Sequence, residues 1–116
     1  MARSDEIKNT GPKHSADEAL DRLKGKPKAY EKLQKVVKHP KLQAALDEFQ
    51  GNPEKRKEAA QDVAGYLRRK GIDIPEGVEV QFKDDNWSIW LCYRDDAGWT
   101  CCLWFDWYWG WGVGCS

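Results

Sequence analysis

The chain changes its hydrophobic period once. Up to Gly71 the apolar residues recur every three or four positions; beyond it they alternate. Ser15-Ala16-Asp17-Glu18 is a capping-box pattern, with a hydroxyl to accept backbone N–H groups and a Glu three residues later. A short helix is predicted from Ala16 to Lys24, stopped by Gly25 and Pro27. Tyr30, Leu33, Val36 and Val37 share one face of a second helix, about Lys28 to Lys38. His39-Pro40 ends it, because a residue before proline is pushed out of the α region. Leu42, Leu46 and Phe49 stripe a third helix, Lys41 to Gln50, with Gly51 as its stop. Asn52-Pro53 then supplies an N-cap and a first-turn proline. One long helix is predicted from there to Lys70, with Ala60, Val63, Ala64 and Leu67 on one face.

Beyond Gly71 the pattern is that of strands. Val78, Val80 and Phe82 alternate with Glu79, Gln81 and Lys83; Trp87, Ile89, Leu91 and Tyr93 alternate with Ser88, Trp90 and Cys92. Polar breaks at 83–86 and 94–98 separate the runs. Trp99, Cys101, Leu103, Phe105, Trp107, Trp109 and Trp111 all fall on one parity, which predicts a third strand. The expected fold class is therefore α+β: N-terminal helices, then a small antiparallel β-hairpin or three-stranded meander, with a Trp/Cys-rich C-terminal segment. Residues 1–14 are polar and read as a flexible arm.

Composition sharpens this picture through its unevenness. The 116 residues carry 19 Lys+Arg and 19 Asp+Glu, a net charge of zero, so no basic field for nucleic acid is expected. Yet 18 of the 19 cations lie at or before Lys83, and all seven Trp lie at or after Trp87. From Ala97 to Ser116 the only charged side chain is Asp106. No apolar run is long enough for a membrane-spanning helix, and MARSDEIKNT lacks the apolar core of a secretory signal. Three units follow: the arm 1–14, a helical and hairpin domain 15–98, and residues 99–116 as either a separate peptide or a third strand.

Residues from about His39 to Tyr93 resemble the nitrile-hydratase-type leader peptide family. The resemblance rests on His39-Pro40-Lys41-Leu42-Gln43-Ala44-Ala45-Leu46, on Asn52-Pro53, and most specifically on Gly71-Ile72-Asp73-Ile74-Pro75-Glu76-Gly77-Val78-Glu79-Val80. The run Trp87 to Tyr93 is similar to the family's last leader strand. The resemblance implies a precursor of a ribosomally synthesised, post-translationally modified peptide. In such a precursor the leader recruits a peptide-modifying enzyme, and a processing protease or exporter releases a C-terminal core. Ala97-Gly98 is the expected cleavage site, although Asp95 and Asp96 stand where such sites usually carry apolar residues. The precursor is expected in the cytoplasm and its product outside the cell.

The residues of 99–116 are suited to modification. Cys101, Cys102 and Cys115 are nucleophiles as thiolates. Thr100 and Ser116 are the hydroxyl partners for at most two thioether rings. Azole formation would use the same cysteines, and oxidative crosslinking the electron-rich rings of Trp99, Trp104, Trp107, Trp109, Trp111 and Tyr108. Tryptophan favours the bilayer interface, so a membrane-active, antimicrobial product of the bacteriocin kind is expected. Leu42, Leu46, Phe49, Val78, Val80 and Phe82 are candidates for docking the modifying enzyme, weighed against a role as leader core.

Other readings of the cysteines are weaker. Adjacent Cys101-Cys102 lacks zinc-knuckle spacing and has no nearby His, so no metal is expected. A disulfide from Cys101 or Cys102 to Cys115 would need an oxidising compartment, and Cys92 reads as packing. Asp106, alone among aromatics, is a candidate buried acid. The sequence holds no phosphate loop, nucleophile elbow or paired acid–base constellation, so neither an enzyme nor a cofactor is expected. The alternative is a small α+β binding module whose aromatic strand is a partner surface.

Overall fold

The computed structural model describes residues 15–84 and 87–116. The expected N-terminal arm, 1–14, lies outside them, as do Asp85 and Asn86 of the first polar break. Among the described residues five helices, α1 (Ala16–Asp21), α2 (Pro27–Val37), α3 (Leu42–Gly51), α4 (Pro53–Ala59) and α5 (Val63–Arg69), precede four strands. The strands are β1 (Val78–Lys83), β2 (Ser88–Arg94), β3 (Thr100–Asp106) and β4 (Gly110–Cys115). They form one antiparallel meander in the order β1-β2-β3-β4. The α+β class is as expected, but the sheet has four strands, not three.

Local chemistry accounts for the helix boundaries. Ser15 Oγ accepts from the Glu18 N–H at 3.1 Å and starts α1. His39 Nδ1 accepts from the Lys41 N–H at 3.1 Å, in the turn between α2 and α3. Asn52 Oδ1 accepts from Lys55 N–H at 3.1 Å to open α4 behind Pro53. The single long helix expected from Pro53 to Lys70 is two helices. The chain turns at Ala60–Asp62, and Asp62 Oδ1 caps α5 by accepting from Gly65 N–H at 3.0 Å. Ala59 is buried on α4, and Val63, Tyr66 and Leu67 are buried on α5. Spaced i, i+4, i+7 and i+8, these residues would share one face of a straight helix too, so the apolar period does not mark the break.

The helices cover one face of the sheet: α1 packs on β4, α2 on β2 and α5 on β1. The inward parity is Val78, Val80, Phe82 on β1; Ile89, Leu91, Tyr93 on β2; Cys101, Leu103, Phe105 on β3; Trp111, Val113 and Cys115 on β4. All of these but Cys115, which is exposed at the end of β4, meet Leu20, Leu33, Val36, Leu46, Phe49, Leu67 and Ile72 in a single apolar core. Burying each such side chain stabilises the fold by roughly 1.5–3 kcal/mol. The outward parity carries Gln81, Lys83, Trp90, Cys92, Arg94, Thr100, Cys102, Trp104, Gly112 and Gly114.

The predicted third strand divides because of Asp106 and Gly110. Asp106 Oδ1 accepts from Tyr108 N–H at 2.7 Å and Trp109 N–H at 3.1 Å, closing an Asx turn. Gly110 takes φ +89° immediately after it. A three-residue loop, Trp107–Trp109, followed by glycine in the left-handed region is a favoured hairpin connection. The aromatic parity through Trp107 and Trp109 concealed this turn. Asp106 is thus a turn-former, not a buried acid.

Candidate functional site

The candidate site is the segment 99–116 with the loop that joins it to β2. That loop is tight and exposed. Asp95 Oδ1 accepts from the N–H groups of Ala97 and Trp99, each at 3.0 Å, and Asp95 N–H donates to Trp99 O at 2.9 Å. Gly98 has φ +91° with open space where a Cβ would stand. The expected cleavage residues Ala97 and Gly98 are both exposed, and the Asp96 side chain is 99% exposed. Lys28 reaches Asp96 at 3.6 Å and Lys26 lies 3.6 Å over the Trp99 ring, so cations from α2 and the loop before it stand beside this turn.

Past the loop, the tail enters the sheet. Register places Cys92 opposite Cys102 and Cys101 opposite Cys115. Both pairs are bonded: Cys92–Cys102 on the outward face and Cys101–Cys115 on the inward face, each with Cα atoms 4.1 Å apart. Thr100 and Ser116 exchange both backbone hydrogen bonds at 2.9 Å, one residue beyond the second pair. The Cys101–Cys115 pair therefore occupies the close, non-hydrogen-bonded position of the ladder. The expectation that Cys92 serves packing gives way here to a cross-strand bond, and Cys101 and Cys102 take different partners. Alternation explains the split: adjacent residues of a strand face opposite sides of the sheet.

The tryptophans fall into three environments. On the outward face Trp90 and Trp104, directly opposed, stack with centroids 4.4 Å apart and planes at 20°. Trp90 Nε1 donates to the buried Ser88 Oγ at 2.8 Å, and Lys83 Nζ stands 4.0 Å from the Trp90 centroid. The Trp104 indole spreads over β4, where a Cβ at Gly112 would collide with it and one at Gly114 would touch it at 3.4 Å. The alternate glycines of β4 thus make room for an indole lying across the strand. On the inward face Trp111 is buried against Phe105, and Trp107 is half-buried against Phe49, Phe105 and Trp87. Trp107 Nε1 is buried without a hydrogen-bond partner. Trp99, Tyr108 and Trp109 are 47%, 63% and 50% exposed.

The remaining candidates divide by burial. Thr100 and Cys102 are half-buried, and Cys115 and Ser116 are exposed at the end of β4. Leu42, Leu46, Phe49 and Val78 are buried, and Val80 and Phe82 are half-buried against the same core. Leu42, Leu46, Phe49 and Val78 thus belong to the core, while Val80 and Phe82 keep part of their surface open, Phe82 at the rim of a groove. Sequence reasoning missed Trp87 and Arg56, which lie at the surface between α4 and the β1–β2 connection. The Arg56 guanidinium sits 4.3 Å over the Trp87 ring, and Pro53, Lys57, Ala60, Phe82 and Asp84 complete a shallow groove. Trp87 takes φ +50°, which no sequence signal announced.

The clearest titration features lie on the helices. Burial pushes the Tyr66 hydroxyl up to about 12, aided by the nearby Glu48 carboxylate. The protonated hydroxyl donates to Ala45 O at 2.8 Å. Glu48 is held below the usual carboxylate range by hydrogen bonding to Lys70, with Lys55 a second partner at 3.4 Å. These groups join α3, α4 and α5. Among the described residues no helix is long and apolar enough to cross a membrane.

Set against protein-family models, curated proteins and solved structures, the chain matches none.

Proposed function

We propose that the chain is the precursor of a ribosomally synthesised, post-translationally modified peptide, with residues 15–98 as leader and 99–116 as core. It is a substrate, not an enzyme. The observation that carries this reading is the boundary itself. One exposed turn, Asp95 to Gly98, separates a charged scaffold from an 18-residue segment with five Trp, three Cys and a single carboxylate. The residues that carry the leader resemblance support the same division. They fall in separate segments between the turn before α3 and β2, all ahead of that boundary. A peptide-modifying enzyme and a processing protease or exporter are the expected partners. In the reducing cytoplasm the four cysteines are thiols, open to modification; the two disulfides belong to an oxidising compartment after export. Exposed Trp99, Tyr108 and Trp109 suit a membrane-active product.

The test is co-production with the enzymes encoded beside the gene, followed by fragment mass analysis. A mass change confined to residues 99–116 is expected. An unchanged tail in the presence of every neighbouring enzyme contradicts the reading.

A second reading is favoured by one observation: Cys101, Leu103, Phe105 and Trp111 are all under 10% exposed. This is the α+β interaction module, in which the aromatic tail is permanent structure and its exposed rings meet a partner. It requires that the tail stay attached and unmodified in the host.

A further inference from the structure

Three of the four cysteines lie in the tail and one, Cys92, lies before the boundary. With an odd number on the tail side, complete pairing forces one bond across the loop. The register decides which. Cys92 faces Cys102 on the outward side, and Cys101 faces Cys115 within the tail.

We infer that Cys92–Cys102 is a covalent latch across the Asp95–Trp99 loop, so that freeing the tail takes two chemical events: hydrolysis in the loop and reduction of this bond by a thiol reductant. The inference rests on the precursor reading for its purpose, though not for its chemistry. Hydrolysis adds one water across the loop peptide bond. Reduction breaks the S–S bond: a dithiol gives up two electrons and two protons, becomes a disulfide, and leaves Cys92 and Cys102 as thiols. The latch lies on the face that the helices leave uncovered, and both of its cysteines are half-buried. The Cys101–Cys115 bond does not cross the loop. It leaves with the tail and closes β3 and β4 into a ring that includes the Trp107–Trp109 turn.

Trypsin tests this on the natural chain. Arg94 is its last site, and Lys83 is the one before it. Digestion of the air-oxidised chain therefore yields residues 84–94, which hold Cys92, and residues 95–116, which hold the other three cysteines. Mass spectrometry under denaturing, non-reducing conditions should find the two fragments as one linked species, and reduction should separate them. Cys102→Ala should separate them without reductant, whereas the double variant C101A/C115A should remain linked. Separation of the wild-type fragments before reduction, or of the double variant's fragments, would overturn the latch. Failure of the precursor reading looks different: the host would leave the loop uncut while the linked tryptic pair persisted.

Discussion

Tyr66 is the residue whose ionisation the fold opposes most clearly. Its hydroxyl must keep its proton to donate to Ala45 O, and burial raises its value from 10.0 to about 12. The folded state therefore binds this proton more tightly than the unfolded chain does. The stabilisation is fully present below pH 10 and is lost as the pH rises through about 12. Denaturant titrations across this range should show stability falling, and Tyr66→Phe should flatten that fall while costing about 1 kcal/mol at neutral pH. Glu48 works in the opposite sense. Its value is lowered from 4.5, so its contribution is present above that pH and is lost as the pH drops through the folded value. At the other end of the molecule Gly112 is held to glycine by Trp104. Gly112→Val should push the indole off β4 and destabilise the fold by about 1–3 kcal/mol, read as a lower thermal midpoint and a loss of Trp90–Trp104 exciton circular dichroism.

Elements depend on short polar signals as much as on hydrophobic period. Asp62 turns one expected helix into α4 and α5; Asp62→Ala should cost about 1 kcal/mol in chemical denaturation by removing the cap on Gly65 N–H. Asp106 does the same for the tail. Asp106→Ala removes two acceptor contacts from the Trp107–Trp109 turn, so β4 should lose amide-exchange protection before β1 does. The helix stripes, β1, β2 and the inward parity of Leu91, Leu103 and Phe105 were legible in the sequence, because burial imposes a simple period on them. The β3–β4 hairpin was not, because Trp107 and Trp109 preserve the aromatic alternation across a turn that only Asp106 and Gly110 mark. The cysteine pairing was illegible for a related reason. Which residues face each other depends on register, and register depends on that hidden turn.

For the whole molecule, the tail supplies two of the sheet's four strands and part of its core. The disulfides close short loops, with sequence separations of 10 and 14, so each is worth about 3 kcal/mol by loop entropy. Reduction should lower the denaturant midpoint accordingly. β3 is paired on both sides, whereas β4 is an edge strand paired only with β3. Isolating the tail-derived peptide from the native host and sequencing it by tandem mass spectrometry tests the precursor reading most directly. A peptide that begins at or near Trp99, carries modifications on its Cys, Thr, Ser or Trp residues and lacks residues 15–94 is expected. Recovery of the intact chain alone, with an unmodified tail, would contradict it.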